Sequence, residues 1–334
     1  MDHKLIIKNI KQKQFEKIYF LHGEEPYYID LVCDAIEENA IDESEKDFNQ
    51  TIIYGKDVVI PQLISEVKSF PMMGEKRLVI VKEAQNIDKD DFELLAPLFE
   101  NPVDTTIFVI CYKYKKYDSR TKLLKDAAKN GLVFVTEKLK DYKVVDWINK
   151  FVAESGYQIS QKASMLLAEN LGTDIGRIIN ELEKLQILVE KGTVINEVHV
   201  EENIGISKDY NFFELSNAFA DRDHLKAYKI VDYFDKNPKA GSIIPVISNL
   251  YAYHIKLMRL HFSPDKSQAS LASILKIAPF VVAQYTKAAK IYPPKKLAEN
   301  IAILQEYDLM SKGVNNSSMS SGDLMKEMMF RLMN

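Results

Sequence analysis

The segment "IYFLHG", residues 18–23, is an apolar strand pattern that ends at a glycine and leads into a helical pattern. Nucleotide phosphates bind at such a junction when a glycine-rich turn offers N–H groups, a lysine and a Mg²⁺-binding hydroxyl. Here Glu24, Glu25 and Pro26 follow Gly23 instead. Two carboxylates repel phosphate, and proline has no N–H to donate. The sequence therefore predicts the frame of a nucleotide site without its chemistry.

A second nucleotide-site motif would follow the buried strand pattern "RLVIV", residues 77–81, as an acidic pair that holds Mg²⁺ and a water molecule. Lys82 occupies the first of these positions and Glu83 the second. A cation in the first position opposes metal binding, so we interpret this as a solvated strand end. We expect no ATP hydrolysis, no cofactor and no catalytic site in this chain.

Cysteine and histidine do not occur at the spacings of metal sites. Cys33 and Cys111 lie in apolar segments, outside any C-x-x-C pattern, and are expected to be reduced core residues. His254 and His261 could share a helix face, but no zinc-binding carboxylate–histidine spacing accompanies them. We predict structural histidines and no metal site.

Composition favours an ordinary globular protein, with 334 residues of which 46% are hydrophobic. The start, "MDHKLIIKNIKQKQ", is too polar for a signal peptide, and no apolar run approaches the ~20 residues that span a bilayer. We therefore expect a soluble, cytoplasmic protein without a membrane partner.

Charge is unevenly distributed, although the net charge is only −4. Residues 24–47 hold ten acidic residues and one lysine, whereas residues 241–297 hold eight basic residues and one aspartate. Such a division can mean that one region meets an anionic partner. The alternative is a solvated helical surface with chance clustering.

Strand and helix patterns alternate over the first 140 residues, with strands predicted within "KIYFLHG", "FNQTIIYG", "RLVIVKEA", "TTIFVICY" and "LVFVTEK". This alternation indicates a parallel sheet covered by helices on both faces. Later residues read as helices, first as a three-helix unit and then as a larger bundle. We predict an α/β domain over 1–140, a small helical domain over 141–210 and an all-α domain over 211–334.

Several segments together resemble the delta subunit of bacterial DNA polymerase III. They are "IYFLHGEEPYYIDLVCDAI", "SFPMMGEKRLVIVKEA", "WINKFVAESGYQISQKASMLLAENLGTDIGRIINELEKL" and "ILQEYDLMSKG". The resemblance runs over essentially the whole chain through the order and spacing of these segments. It implies an AAA+-like domain without a functional P-loop, a three-helix lid and a C-terminal helical collar that assembles with related subunits.

The resemblance also implies a clamp-binding element, an exposed apolar pair that follows the helix before the "RLVIV" strand. The matching stretch is "VKSFPMMGEKR", with Met72 and Met73 at the pair and Phe70 before them. The family often has an aromatic residue where Met73 stands. Methionine suits a pocket of variable shape, because its side chain is unbranched and polarizable. The alternative is a pair of core methionines under the sheet edge.

The basic run supplies candidate DNA-facing residues, namely Lys256, Arg259, Lys287 and Lys290. Lysine and arginine neutralise phosphates and release counterions, which would suit primer–template DNA. A solvated face is again the alternative.

The function that the resemblance implies is a clamp-loader subunit that binds and opens the sliding clamp (beta subunit) for loading onto primed DNA. Its other partners would be gamma/tau-type and delta-prime-type subunits, within a DNA polymerase III holoenzyme that carries the nucleotidyltransferase activity. Two other classes stay open. A degenerate P-loop ATPase would bind ATP in calorimetry, and a DNA-binding scaffold would retain DNA without any clamp.

Overall fold

The structure is a computed structural model that describes residues 2–72, 74–316 and 318–334. The chain divides into two compact units, one ending at Leu139 and the other beginning at Lys140. Each unit has its own secondary structure and its own buried apolar residues, and the two units are described in turn.

The first unit is built on a five-stranded parallel sheet. Its strands are β1 (Ile18–Gly23), β2 (Gln50–Tyr54), β3 (Arg77–Lys82), β4 (Thr106–Tyr112) and β5 (Leu132–Thr136). They lie in the order β2–β3–β4–β1–β5. All five strands that the sequence predicts are confirmed, and so is the α/β class.

The helices of the first unit are α1 (His3–Lys11), α2 (Pro26–Asn39), α3 (Lys46–Asn49), α4 (Ile60–Lys68), α5 (Lys89–Glu93), α6 (Ala96–Glu100) and α7 (Lys122–Asn130). Helix α1 was not predicted. The sequence pattern over residues 88–99 predicts a single helix, but the structure has α5 and α6 there. Pro97 explains the break, since its ring clashes with the carbonyl four residues earlier, at Glu93, where α5 ends.

Alternate side chains of each strand pack into two separate apolar cores, because successive side chains of a strand point to opposite faces of the sheet. One core contains Phe20, Val79 and Phe108 with α4 to α7, and the other contains Leu21 and Ile80 with α1 and α2. Cys33 and Cys111 are free and buried in the second core, as the sequence indicates. The sheet is therefore covered on both faces.

The second unit is mainly helical. Its helices are α8 (Val144–Glu154), α9 (Gln161–Leu171), α10 (Ile175–Leu188), α11 (Glu197–Ile204), α12 (Phe212–Ala220), α13 (His224–Lys236), α14 (Ile243–Phe262), α15 (Gln268–Leu275), α16 (Val282–Ile291), α17 (Pro294–Ser311) and α18 (Ser321–Met333). The two-residue strands β6 (Gln158–Ile159) and β7 (Val194–Ile195) pair in parallel.

Helix α11 and the β6–β7 pair were missed in the sequence. The strands are too short to show a period. Helix α11 begins with a capping box in which His199, rather than the usual Glu or Gln, bonds back to Asn196. From α12 onward, the helices lie close to where the sequence predicts them.

Polar bonds join the helices of the C-terminal part within its apolar core. His254 is fully buried in α14, with Nδ1 2.7 Å from the Leu250 carbonyl and Nε2 3.2 Å from Asn300 Nδ2. Asn300 Nδ2 also donates to the Leu332 carbonyl, so α14, α17 and α18 share one network. His261 Nε2 lies 2.8 Å from the Tyr292 carbonyl. Both histidines are structural, as the sequence indicates.

No single helix of the described chain is long and apolar enough to cross a membrane. The segments Gln268–Leu275 and Pro279–Ile291, bent by 105° relative to each other, meet that length and composition test only as a pair.

His254 makes fold stability depend on pH. Burial lowers its pKa from 6.5 to about 4. Between pH 6.5 and pH 4, this histidine binds more protons in the unfolded chain than in the folded one. It therefore leaves the free energy of unfolding unchanged above pH 6.5 and lowers it as the pH falls toward 4. The loss is at most about 3 kcal/mol. Urea titrations at pH 7 and pH 4.5 measure the free energy of unfolding. Between these two pH values, His254→Phe should lose about 2 kcal/mol less of this free energy than wild type, whatever its stability at pH 7. Equal losses would contradict the assignment.

Candidate functional site

The turn between β1 and α2 is closed by bonds within the protein. Backbone N–H of Glu24 donates to the Thr136 carbonyl (3.1 Å), and that of Glu25 donates to Thr136 Oγ1 (3.2 Å). The Glu25 carboxylate caps α2 by accepting from the N–H of Tyr27 (3.2 Å). A helix N-terminus attracts anions, and here the chain supplies its own. Because Pro26 has no N–H, the donors that a phosphate would need are engaged or missing.

Gly23 shows how closely β5 approaches this turn. Its φ is +143°, and a Cβ there would lie 2.1 Å from the Thr136 carbonyl oxygen. The glycine of a nucleotide site gives the backbone access to phosphate. In this chain the same glycine gives access to Thr136.

The end of β3 carries a cation that is already paired. Lys82 Nζ lies 2.8 Å from Glu37 and 4.0 Å from Asp34, both in α2. Burial disfavours the charged lysine, but its bond to Glu37 and the neighbouring acids raise its pKa overall. Cys33, Asp34 and Glu37 have ligand atoms within 4.8 Å of one another, as a metal would require. Since the Lys82 ammonium already pairs with Glu37 and lies near Asp34, this group is better explained as an ion pair between α2 and the sheet.

The loop after α4 exposes apolar side chains. Phe70 is 81% exposed and Met72 is 58% exposed. Exposed large apolar residues side by side on a loop are typical of interaction surfaces. The core alternative is therefore excluded for Met72, whereas Met73 lies outside the described residues. We call Phe70 and Met72 the apolar tip.

Asn49, at the end of α3, holds the backbone of the apolar tip. Its Oδ1 accepts from the Met72 N–H (2.6 Å), and its Nδ2 donates to the Met72 carbonyl (2.7 Å). Asn49 is fully buried, so these bonds are shielded from competing water. The backbone of Met72 is thereby fixed while its side chain faces solvent.

The chain segments before and after the apolar tip are also held in place by contacts with the first unit. Helix α4 buries Leu63 and Val67 against the sheet. Arg77, at the start of β3, forms an ion pair with Glu66 of α4. Beyond the tip, a Cβ on Gly74 would lie 2.2 Å from the Glu45 carboxylate, so only glycine fits without displacing that side chain. The apolar tip therefore projects from a packed base.

Sequence reasoning missed two residues of this region, Phe48 and Asn49. Phe48 is 52% exposed and directly precedes the asparagine that bonds to Met72. Phe48 is therefore a further exposed apolar residue in this region. The bonds join positions 23 residues apart, and no local pattern in the sequence signals them.

The four predicted DNA-facing residues differ in their availability. Arg259 and Lys290 are exposed, and no ion pair is found for either in the described chain. Lys287 is exposed but paired with Asp221 at 2.6 Å. Lys256 is partly buried, and burial lowers its pKa. Helices α14 and α16, which carry them, pack together.

Residues 19–137 match the protein-family model described as "DNA polymerase III, delta subunit". This chain is similar to the delta subunits of DNA polymerase III. It is 26% identical over 315 residues to DNA polymerase III subunit delta of Bacillus subtilis, covering 90% of each chain. It is 22% identical over 313 residues to the probable DNA polymerase III subunit delta of Aquifex aeolicus, covering 89% of this chain and 86% of that one.

The fold resembles that of the Bacillus subtilis DNA clamp loader delta protein, with a TM-score of 0.57 and 23% identity over 99% of both chains. This likeness confirms the predicted fold, a parallel α/β domain followed by helical structure. The relatives confirm the resemblance that the sequence suggests. The roles of individual residues stay predictions.

Replacing Asn49 tests whether it fixes the apolar tip. In Asn49→Ala, the free energy of unfolding should fall by about 1–3 kcal/mol, because two buried backbone groups lose their partner. Amide hydrogen exchange at Met72 should become more than tenfold faster. Asn39→Ala is the control, since Asn39 Nδ2 bonds to the Ala35 carbonyl of its own helix and is 33 positions away from Met72 in the sequence. Unchanged exchange at Met72 would show that the tip is held by other contacts.

Proposed function

We propose that this chain is the clamp-opening subunit of a replicative clamp loader. It binds a ring-shaped sliding clamp, the beta subunit, and holds it open for loading onto primed DNA. It does not hydrolyse ATP itself. Relatedness to DNA polymerase III delta subunits supports the general role, and the apolar tip supports the specific one.

The observation that carries this proposal is the combination of exposure and rigidity at Met72. A partner that buries Phe70 and Met72 gains the hydrophobic free energy of two large side chains. Because Asn49 already holds the Met72 backbone, binding orders less of the chain and loses less entropy. The flexible thioether side chain of Met72 on a fixed backbone suits transient binding in a pocket of variable shape.

Charged residues flank the tip and keep it soluble when no partner is bound. Lys68, Glu75 and Lys76 are exposed. Lys76 Nζ donates to the Asp104 carbonyl at 2.7 Å, which directs its side chain toward the sheet end. The apolar area therefore stays small in the free protein, as expected for a surface that binds transiently.

The closed β1–α2 turn supports a role without ATP hydrolysis. Glu25 and Thr136 occupy the donors that a phosphate needs. Hydrolysis is then the task of gamma/tau-type subunits in the same ring. The chain retains the AAA+-like frame because that frame docks beside true ATPases.

The proposed organisation has three parts: the clamp-binding domain over 1–140, the lid over 141–210 and the collar over 211–334. Buried apolar residues between Leu215 and Met333 form one continuous core, as expected for a bundle that folds as a piece. The collar would join gamma/tau-type and delta-prime-type subunits. The whole assembly would act on primer–template DNA in the cytoplasm.

Changing Met72 and Met73 together to alanine should weaken clamp binding more than tenfold, because interface anchors each contribute roughly 2 kcal/mol. Stability should change little, since Met72 is exposed and truncating an exposed side chain alters stability by about 0.5 kcal/mol. Gel filtration and calorimetry with the sliding clamp of the same organism measure the binding. Leu94→Ala is the control, because Leu94 is 57% exposed elsewhere in the same unit. Normal clamp binding by the double variant would overturn the assignment.

Arg259 and Lys290 are the stronger candidates for DNA contact, because Lys287 is ion-paired and Lys256 is partly buried. Reversing Arg259 and Lys290 to glutamate should weaken DNA binding by the assembled loader. It should also flatten the log–log salt dependence by about 1.8, since each duplex phosphate contact contributes about 0.9.

The matched control reverses Lys191 and Lys229, two exposed lysines of the same unit outside the basic run. It should leave the salt slope unchanged. If both double variants reduce the slope equally, general charge rather than a DNA-facing surface explains the effect. If neither does, the basic run is a solvated face.

A further inference from the structure

A cavity in the second unit holds polar atoms that have no hydrogen-bond partner among the residues that the structure describes. Its volume is about 210 Å³, and five segments line it: α8, α9, α12, α14 and the start of α16. A water molecule needs only about 10–15 Å³ measured in this way, so the space admits several waters or a short organic chain. Asn217 and Gln284 on its wall are partly exposed, which gives access from solvent.

Three side chains of different helices place unpartnered polar atoms on this wall. They are Glu169 Oε2 from α9, Asn217 Oδ1 from α12 and the hydroxyl of Tyr253 from α14. Buried polar atoms of native proteins almost always have partners, and each exception needs an explanation. Three exceptions in one cavity indicate a ligand that supplies hydrogen-bond donors.

The remaining wall is apolar and aromatic. Val145, Met165 and Phe213 line it, together with the ring of Tyr285, which lies 4.8 Å from the ring of Tyr253. An aromatic face attracts cations, and an aliphatic surface favours an alkyl stem. The cavity thus combines acceptors for a donor-rich head with an apolar lining for a short tail.

We propose that this cavity is a binding site for a small primary alkylammonium ion. An ammonium group has three N–H donors and no acceptor, which matches three acceptor oxygens of which one belongs to a carboxylate. Binding would join α8 and α9 to the helices from α12 onward. Nothing in the proposed clamp-loader role requires this site, so its failure would leave that role intact.

The charge of Glu169 gives binding a pH signature. The pKa of the Glu169 carboxyl is raised to about 8, mainly by burial. A bond from the Phe213 N–H lowers this pKa and the nearby Glu214 raises it, both by smaller amounts. The facing titratable groups are Glu214 of α12, Tyr253 of α14 and Tyr285 of α16, and α8 contributes Val145. Glu214 is itself paired with Lys226 and Lys162. At pH 7 the carboxyl is mostly protonated, so a bound ammonium would displace about one proton.

Isothermal titration of the full chain with n-butylammonium chloride tests the proposal. Saturable binding should be roughly tenfold or more tighter at pH 8.5 than at pH 6.5, following ionisation of Glu169. Titrations at pH 7 in two buffers of different ionisation enthalpy should show release of about one proton per ion bound. Neutral 1-pentanol, of similar shape, should not bind comparably. Butylguanidinium in place of butylammonium tests whether an –NH₃⁺ group is preferred.

Glu169→Gln should abolish both the binding and its pH dependence, whereas Glu183→Gln, at an exposed position of α10, should change neither. Tyr253→Phe keeps the ring and removes one acceptor, so it should weaken binding several-fold, and it serves if Glu169→Gln does not fold. Equal binding by wild type and Glu169→Gln would overturn the proposal. So would no binding at up to about 10 mM, a concentration far above typical ligand dissociation constants, which would mean that the cavity holds only water.

Discussion

Two hydrogen bonds between Asn49 and the backbone of Met72 are the interaction on which the candidate surface depends. Apolar side chains in water tend to fold back onto the protein, because that removes surface from solvent. A backbone held at both its N–H and its carbonyl resists this collapse. Met72 can therefore face solvent without disordering the loop, and the sheet beneath determines where the apolar tip is presented.

The first unit is a parallel α/β sheet whose polar groups at the strand ends bond to one another. Glu25 replaces a bound anion at the start of α2, and Thr136 takes the turn's remaining donors. On β3, which β4 separates from β1, Lys82 bonds to α2 where an acidic residue would hold a metal. In an ATPase, groups at these positions bind nucleotide and metal. Here they bond to other parts of the protein and make the frame rigid, and the apolar tip requires a rigid frame.

Much of the fold could be predicted from the sequence, because its signals are local. Five strands follow from apolar runs such as "RLVIV", and the helices after residue 211 follow from amphipathic spacing. The β6–β7 pair was missed because two residues show no period. The break between α5 and α6 was missed because the apolar spacing continues past Pro97, although the backbone does not.

The candidate site was less accessible to sequence reasoning. Resemblance to a family identified Phe70, Met72 and Met73, and exposure agrees for the two that the structure describes. No pattern in the sequence could reveal Asn49, since its bonds cross from α3 to a loop 23 positions later. The same holds for Lys287, whose partner Asp221 lies in another part of the chain. Long-range pairing, rather than composition, decides which charges and apolar groups are available.

The β1–α2 turn has a consequence for how this chain could change over evolution. Only Glu24 and Glu25 separate the last residue of β1 from the first residue of α2. A phosphate-binding loop needs a glycine-rich run of about eight residues. Point substitutions that restore a lysine or remove the carboxylates would leave the chain too short to surround a phosphate. Nucleotide binding at this turn would require an insertion beside the Gly23–Thr136 contact, because point substitutions cannot lengthen the turn.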